Sequence, residues 1–239
     1  MVELSFMLGV LGNISAFLIL LSPIGTFARI VKKRSTEDFS SFPYICMVLN
    51  ASLWTYYGII KPDALLVATV NGSGILISTV YLFLYLAFAP PKIRVRTAAI
   101  AAVMDVGFVV VAIWVSKFEL EGESSINFTG FLCACFNILR YASPLSIMRQ
   151  VVITKSVEYM PLLLSICLCA NGLTWATYAM LVRDIFLLVP HSMGFLLGVS
   201  QLVLYAIYRK GKSSNNAIGI GDLEETREHH QQLLVPSHN

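Results

Sequence analysis

Charge is what this chain has least of. Of its 239 residues only 13% are Asp, Glu, Lys or Arg, while 56% are hydrophobic; a soluble domain carries about 25% charged residues. That scarcity excludes a water-exposed domain of any size. Cysteines number five, and all of them (Cys46, Cys133, Cys135, Cys167, Cys169) fall inside apolar runs. Residues two apart on a helix point to different faces, so neither Cys-x-Cys pair is a good metal site, and small apolar packing is the better reading. There is no phosphate-cradling glycine loop and no nucleophile–base pair, so no enzyme, cofactor or metal centre is expected. Period-two alternation is missing too. The run Ala64–Pro91 is continuously apolar, which excludes a membrane β-barrel.

What the chain does have is seven long uncharged windows: Leu4–Ala28, Phe39–Ile60, Ala64–Pro91, Thr97–Ser116, Ser124–Met148, Tyr159–Val182 and Ile185–Tyr208, broken only by Asp105 and Arg140. A hydrocarbon core of about 30 Å needs roughly 20 helical residues, so each window reads as a membrane-spanning helix, here spans 1 to 7. The first lacks a basic leading segment and is too long for a signal peptide, so it reads as retained. Residues 209–239 are polar and read as a disordered tail. The net charge of +3 is no nucleic-acid footprint, because basic residues alternate by loop. Thirteen (Arg29, Lys32, Lys33 and Arg34; Lys92, Arg94 and Arg96; Arg149 and Lys155; Arg209, Lys210, Lys212 and Arg227) face one side, and three (Lys61, Lys117, Arg183) the other. The positive-inside rule then places the N-terminus outside or lumenal and the C-terminus in the cytoplasm. The sequon Asn127-Phe128-Thr129 abuts span 5, a poor setting for a glycan.

The most specific feature is an internal repeat at an offset of 121. Ser22-Pro23 matches Ser143-Pro144, Ser35-x-Glu37 matches Ser156-x-Glu158, and Asn50, Trp54, Tyr57 and Asp63 match Asn171, Trp175, Tyr178 and Asp184. Spans 1–3 therefore repeat as spans 5–7, with span 4 between them. Spans 1 and 5 run in the same direction, so the copies are parallel, related by an axis along the membrane normal. The expected fold is all-α and integral to the membrane: a first three-helix repeat (1–91), a linker helix with its outer loop (92–123), a second repeat (124–208) and the tail (209–239).

Six stretches then carry a family resemblance: Leu21-Ser-Pro-Ile-Gly-Thr-Phe27, Arg34-Ser-Thr-Glu-Asp-Phe39, Phe42-Pro-Tyr44, Leu53-Trp-Thr-Tyr-Tyr-Gly58, Thr69-Val-Asn-Gly72 and Tyr141-Ala-Ser-Pro-Leu145. The chain resembles the SWEET (MtN3/saliva) sugar transporters over all seven spans. Its wording at Trp-Thr-Tyr-Tyr-Gly and Phe-Leu-Leu-Val-Pro is most similar to the plant vacuolar-membrane branch. The resemblance implies a sugar site at the midplane, a proline tetrad acting as inner hinge, an outer gate, and a homo-oligomer, commonly a trimer.

The residues fit such chemistry. Asn50 and Trp54 lie one turn apart on span 2, and Asn171 and Trp175 repeat this on span 6. Indoles offer flat surfaces to the apolar faces of a sugar, and amides donate and accept at its hydroxyl rim. Interfacial anchoring is the ordinary role of a membrane Trp, but Trp54 lies nearer the midplane. Asn71 matches the family's sugar-binding asparagine. Spans 3 and 7 repeat at an offset of 120, so its repeat mate is His191, where the family has a second asparagine; an imidazole can donate and accept once each, and titrates at about pH 6.5. Asn137 and Arg140 share a stripe that lines the family's cavity, usually apolar at the Arg140 position. An arginine within a span is costly unless it meets water or a partner. Two readings stand: Arg140 pairs with Asp105 on span 4, or it reaches the cavity and binds hydroxyls. Pro23, Pro43, Pro144 and Pro161 are the hinge candidates, since proline removes a helical hydrogen bond. Tyr57 with Asp184 is the outer-gate candidate.

The expected function is downhill, uncoupled transport of a monosaccharide such as fructose or glucose by alternating access, because no carboxylate lies on the expected pocket helices. Sugar and lipid are the expected partners. A PQ-loop-type proton-coupled amino-acid exporter is the alternative, although Pro23 and Pro144 are followed by Ile24 and Leu145 rather than Gln. A seven-helix receptor would lack the duplication. The vacuolar membrane is the favoured location and the plasma membrane the alternative.

Overall fold

Residues 2–158 and 160–209 are described by the structure, a computed structural model. The expected tail therefore falls outside the described residues, apart from Arg209. Seven helical rods account for the rest. Span 1 is α1 (Val2–Leu20) and α2 (Ile24–Lys33); span 2 is α3 (Phe42–Ile60); span 3 is α4 (Leu65–Phe88). Span 4 is α5 (Pro91–Ala101) and α6 (Val109–Trp114), each followed by wider π-helical turns, Ala102–Phe108 and Val115–Glu119. Span 5 is α7 (Gly122–Arg140) and α8 (Ala142–Thr154), span 6 is α9 (Leu162–Leu181), and span 7 is α10 (Ile185–Tyr208).

The breaks in spans 1 and 5 follow from proline. Pro23 and Pro144 lack an N–H, so the ladder fails in the turn before each, between Leu20 and Ile24 and at Tyr141. In span 1 a neighbour satisfies the freed backbone: the Tyr81 hydroxyl donates to the Leu20 carbonyl at 3.0 Å, as a membrane interior requires. The repeat persists in fine detail. Arg34 and Lys155, related by the same offset, end α2 and α8 in the left-handed conformation, with φ of 51° and 53°. The Ser35 and Ser156 hydroxyls accept from the Glu37 and Glu158 amides at 3.1 and 3.4 Å.

Span 4 departs from expectation. Lys92, Arg94 and Arg96 are not in a loop but in the first turns of α5. Pro91 begins this helix because the first helical position needs no N–H partner and proline's φ is preset for it. Span 2 departs in composition. It is 19 residues long but is absent from the helices apolar enough to cross a membrane on hydropathy alone, because Asn50, Trp54, Tyr56 and Tyr57 dilute it. It tolerates them because ten of its residues are buried. The sequon is helical, within α7, and Thr129 is buried.

Within each repeat the third helix lies between the other two: span 3 packs on spans 1 and 2, and span 7 on spans 5 and 6. The repeats meet through spans 1 with 6 and 2 with 5. Span 4 rides outside span 2 and touches span 5, where Phe108 meets Phe136 edge-on at 5.3 Å. Its other face presents Val103, Val106, Val110 and Val111, as a lipid-facing helix should. Two repeats joined by a peripheral linker helix, all-α and multi-pass, is the architecture.

Candidate functional site

The seam between the repeats is not filled. A cavity of about 760 Å³ opens there, lined by Asn50, Trp54, Asn71, Asn137, Arg140, Asn171, Trp175 and His191, which come from spans 2, 3, 5, 6 and 7. At its closed end Trp54 and Trp175 are 2% and 3% exposed. The His191 ring lies between them, 6.1 Å from Trp54 and 5.9 Å from Trp175 by ring centroids. Each indole also stands edge-on to the tyrosine one turn on, Trp54 to Tyr57 at 5.4 Å and Trp175 to Tyr178 at 5.3 Å. The two copies thus present the same aromatic pair to one chamber.

The polar groups differ in how committed they are. His191 Nδ1 faces the Leu187 carbonyl at 2.8 Å. A carbonyl only accepts, so Nδ1 carries the hydrogen and Nε2 remains an acceptor. Asn71 donates to its own helix at the Val67 carbonyl, 2.9 Å away. Asn171 reaches across to span 1, donating to the Ser15 hydroxyl at 2.9 Å. Asn50 Oδ1 is buried without a partner among the described residues. Amide oxygens of Asn50 and Asn71 and the imidazole Nε2 are therefore left to accept from ligand hydroxyls.

Arg140 faces the cavity and is exposed there. It does not pair with Asp105: the ion pairs among the described residues are Arg29–Glu37, Lys33–Glu37 and Lys61–Asp184. Asp105 sits in a π-helical stretch of span 4, outside the cavity lining, with neither carboxylate oxygen hydrogen-bonded among the described residues.

Exposure rises from the indoles toward the end of the bundle that carries the basic clusters. Pro43, Arg140 and Ser143 line the cavity and are exposed, and Pro144 lines it half-buried. The four expected hinge prolines are therefore split: Pro43 and Pro144 reach the cavity wall, whereas Pro23 and Pro161 stand as helix caps outside it. The opposite end is shut. The Tyr57 hydroxyl, 0% exposed, donates to the Asp184 carboxylate at 2.9 and 3.0 Å. Asp184 also caps α10, accepting from the Phe186 and Leu187 amides. The repeat mates do not reproduce this: among the described residues the Tyr178 hydroxyl reaches the Asp63 backbone carbonyl, at 3.4 Å, and not its carboxylate.

Sequence reasoning missed three participants here. Lys61 completes the closed end, its ammonium 2.6 Å from Asp184 and 3.0 Å from the Tyr57 hydroxyl; its repeat position is Val182, so the duplication gives no signal. Gly12 on span 1 lies against the Trp175 indole, and a methyl group there would sit 2.7 Å from Cε2. Gly130 on span 5 is equally tight against Phe186 and Tyr57. Small residues that let membrane helices approach are the available signal, but only the structure says which glycine meets which ring. Among the described residues no group of three His, Cys, Asp or Glu side chains is placed to hold a metal ion.

The arrangement is one chamber between two like halves, closed at one end by a buried hydrogen-bonded carboxylate and open toward the other. The chain also has recognisable relatives over most of its length. A family profile described as "Sugar efflux transporter for intercellular exchange" matches residues 6–93 and 127–213. The chain is 47% identical over 229 residues to the bidirectional sugar transporter SWEET17 of Arabidopsis thaliana, covering 95% of each. It is 46% identical over 213 residues to SWEET16 of the same plant, covering 89% of this chain and 93% of that one. In three dimensions it matches a eukaryotic SWEET transporter solved at 3.7 Å with a TM-score of 0.85 and 35% identity, over 87% of this chain and 98% of that chain.

Proposed function

The chain belongs to the SWEET (MtN3/saliva) family of sugar transporters, and from that membership we infer that it moves a sugar down its gradient through the cavity between its repeats. It is a transporter and not an enzyme. The relatives named above are sugar transporters, which leaves the amino-acid-exporter and receptor readings without support. The observation that carries the reading is the pair of repeat-related indoles flanking His191 in one chamber sealed at Tyr57–Asp184. Flat π faces with acceptors at the rim suit a pyranose or furanose ring. The volume falls within the roughly 300–1,000 Å³ usual for small-molecule sites. Arg140 takes up part of it, which favours a monosaccharide such as fructose or glucose over a disaccharide.

In this reading Asn50, Trp54, Asn71, Asn137, Arg140, Asn171, Trp175 and His191 contact the sugar. Tyr57 and Asp184, with Lys61, form the gate at the far end. Pro23, Pro43, Pro144 and Pro161 mark where the basic-end halves swing. Among the described residues no carboxylate lines the cavity, so the simplest cycle is uncoupled. By the positive-inside rule the basic end is cytoplasmic and the N-terminus lumenal, which makes the described state open to the cytoplasm. The vacuolar membrane is the proposed location, from the similarity to SWEET17 and SWEET16, and a trimer is the proposed assembly.

The test is flux in liposomes holding the purified chain alone. Labelled glucose or fructose should equilibrate with and without an imposed proton gradient, and trans-sugar should accelerate exchange. Amino-acid flux in place of sugar flux would overturn the proposal, and accumulation driven by protons would overturn the uncoupled cycle.

A further inference from the structure

Arg140 has an unanswered charge. Among the described residues the cavity wall holds this one guanidinium, no lysine, and no aspartate or glutamate. Among the described residues neither Asp105 nor any other carboxylate pairs with it. A cation at membrane depth is costly and needs water or an opposite charge. A neutral sugar supplies hydroxyl acceptors but no charge, so the cost is only partly relieved when it binds. A carboxylate supplies both charge and geometry: two oxygens matched to the guanidinium fork. The other polar groups are not obstacles, because Asn50, Asn71 and His191 address the hydroxyl rim of any sugar ring.

We propose that the cavity accepts sugar acids, hexuronates or hexonates carrying one carboxylate, with Arg140 as the group that selects them. A single guanidinium answers a single charge, so the monoanion fits better than a sugar phosphate, which carries about −1.5 to −2 near neutrality. The same charge repels a protonated amino sugar. This rests on the sugar-carrier reading, and it turns one residue from a bulk constraint into a charge filter.

The experiment is uptake by liposomes containing the full chain, comparing labelled glucuronate, glucose and glucosamine in mildly acidic buffer. The wild type should favour glucuronate over glucose and glucose over glucosamine. The glucuronate-to-glucose ratio should fall by roughly tenfold or more in Arg140→Met, the scale of a lost charge-assisted hydrogen bond. In Arg140→Lys, which keeps the charge without the fork, it should fall less. An inside-positive potential should raise glucuronate accumulation and leave glucose equilibration alone, because only the former carries net charge. The wild-type ranking and the potential response need no variant to fold. Glucose flux with no glucuronate uptake or competition would overturn the proposal, as would an Arg140→Met ratio equal to wild type. Absence of both fluxes would refute the carrier reading itself, and this proposal with it.

Discussion

Replacing Tyr57 with Phe removes one hydroxyl and leaves the ring. In the structure that hydroxyl is fully buried and donates to the Asp184 carboxylate at 2.9 Å. A hydrogen bond to a charged group contributes about 1.5–3 kcal/mol. The lower figure applies here, since Asp184 keeps Lys61 and two backbone amides as donors. If this contact exists only while that end is shut, its loss shifts the balance toward opening by roughly tenfold, at about 1.4 kcal/mol per decade. Cys133 is a native reporter. It lies on span 5, 0% exposed, in the same apolar cluster as Trp54 and Tyr57. With the other four cysteines replaced by alanine, a membrane-impermeant maleimide added from the Tyr57 side should modify Cys133 about tenfold faster in Tyr57→Phe than in its parent. Equal rates would refute the idea that the Tyr57–Asp184 contact holds this end closed.

Other expectations follow from single contacts. Gly12→Ala would drive a methyl group into the Trp175 indole, an overpacking cost of about 1–3 kcal/mol; it should lower both the melting temperature in detergent and sugar flux, and normal flux would remove span 1 from the site's support. Tyr81→Phe leaves the Leu20 carbonyl without its hydroxyl partner and should destabilise by about 0.6–2 kcal/mol, read as a lower melting temperature; no change would mean another donor replaces it. Glu37, in the loop after α2, is held at about 2, below its ordinary 4.5, by hydrogen bonds from Arg29 and then Lys33. Its folded value is depressed, so its contribution is present above 4.5 and is lost as pH falls toward about 2. Glu37→Gln should therefore flatten the melting temperature across that acid window and leave the profile above it unchanged in shape. The effect should be small and should shrink in high salt, because the contact is at the surface.

Much of this molecule is legible in its sequence because a bilayer permits so few solutions. Backbone groups in lipid must be satisfied internally, so uncharged windows become helices and their bounds move by only a few residues. The duplication alone pairs Asn50 with Asn171 and Trp54 with Trp175. What stayed hidden breaks the symmetry or depends on a third dimension. In the sequence Lys61 reads as a loop charge, but a long side chain can turn back and carry its ammonium to a buried acid. Phe27 stacks on Tyr81 at 4.6 Å in the first repeat, while the matching positions are Met148 and Gln201, and the Gln201 amide oxygen has no partner among the described residues. Whether Arg140 pairs with Asp105 or reaches the cavity is undecidable from depth along the helices alone. Direction around the axis decides it: Arg140 lines the chamber and Asp105 does not.

The chain has three tryptophans, and Trp114 is half-exposed on the outer linker helix. Trp114→Phe therefore leaves an emission spectrum that comes from Trp54 and Trp175 alone. Titrating that variant with a transported hexose should shift or quench this emission saturably, over the concentrations that saturate flux. Intact flux with no change in emission would contradict a sugar bound between the two indoles.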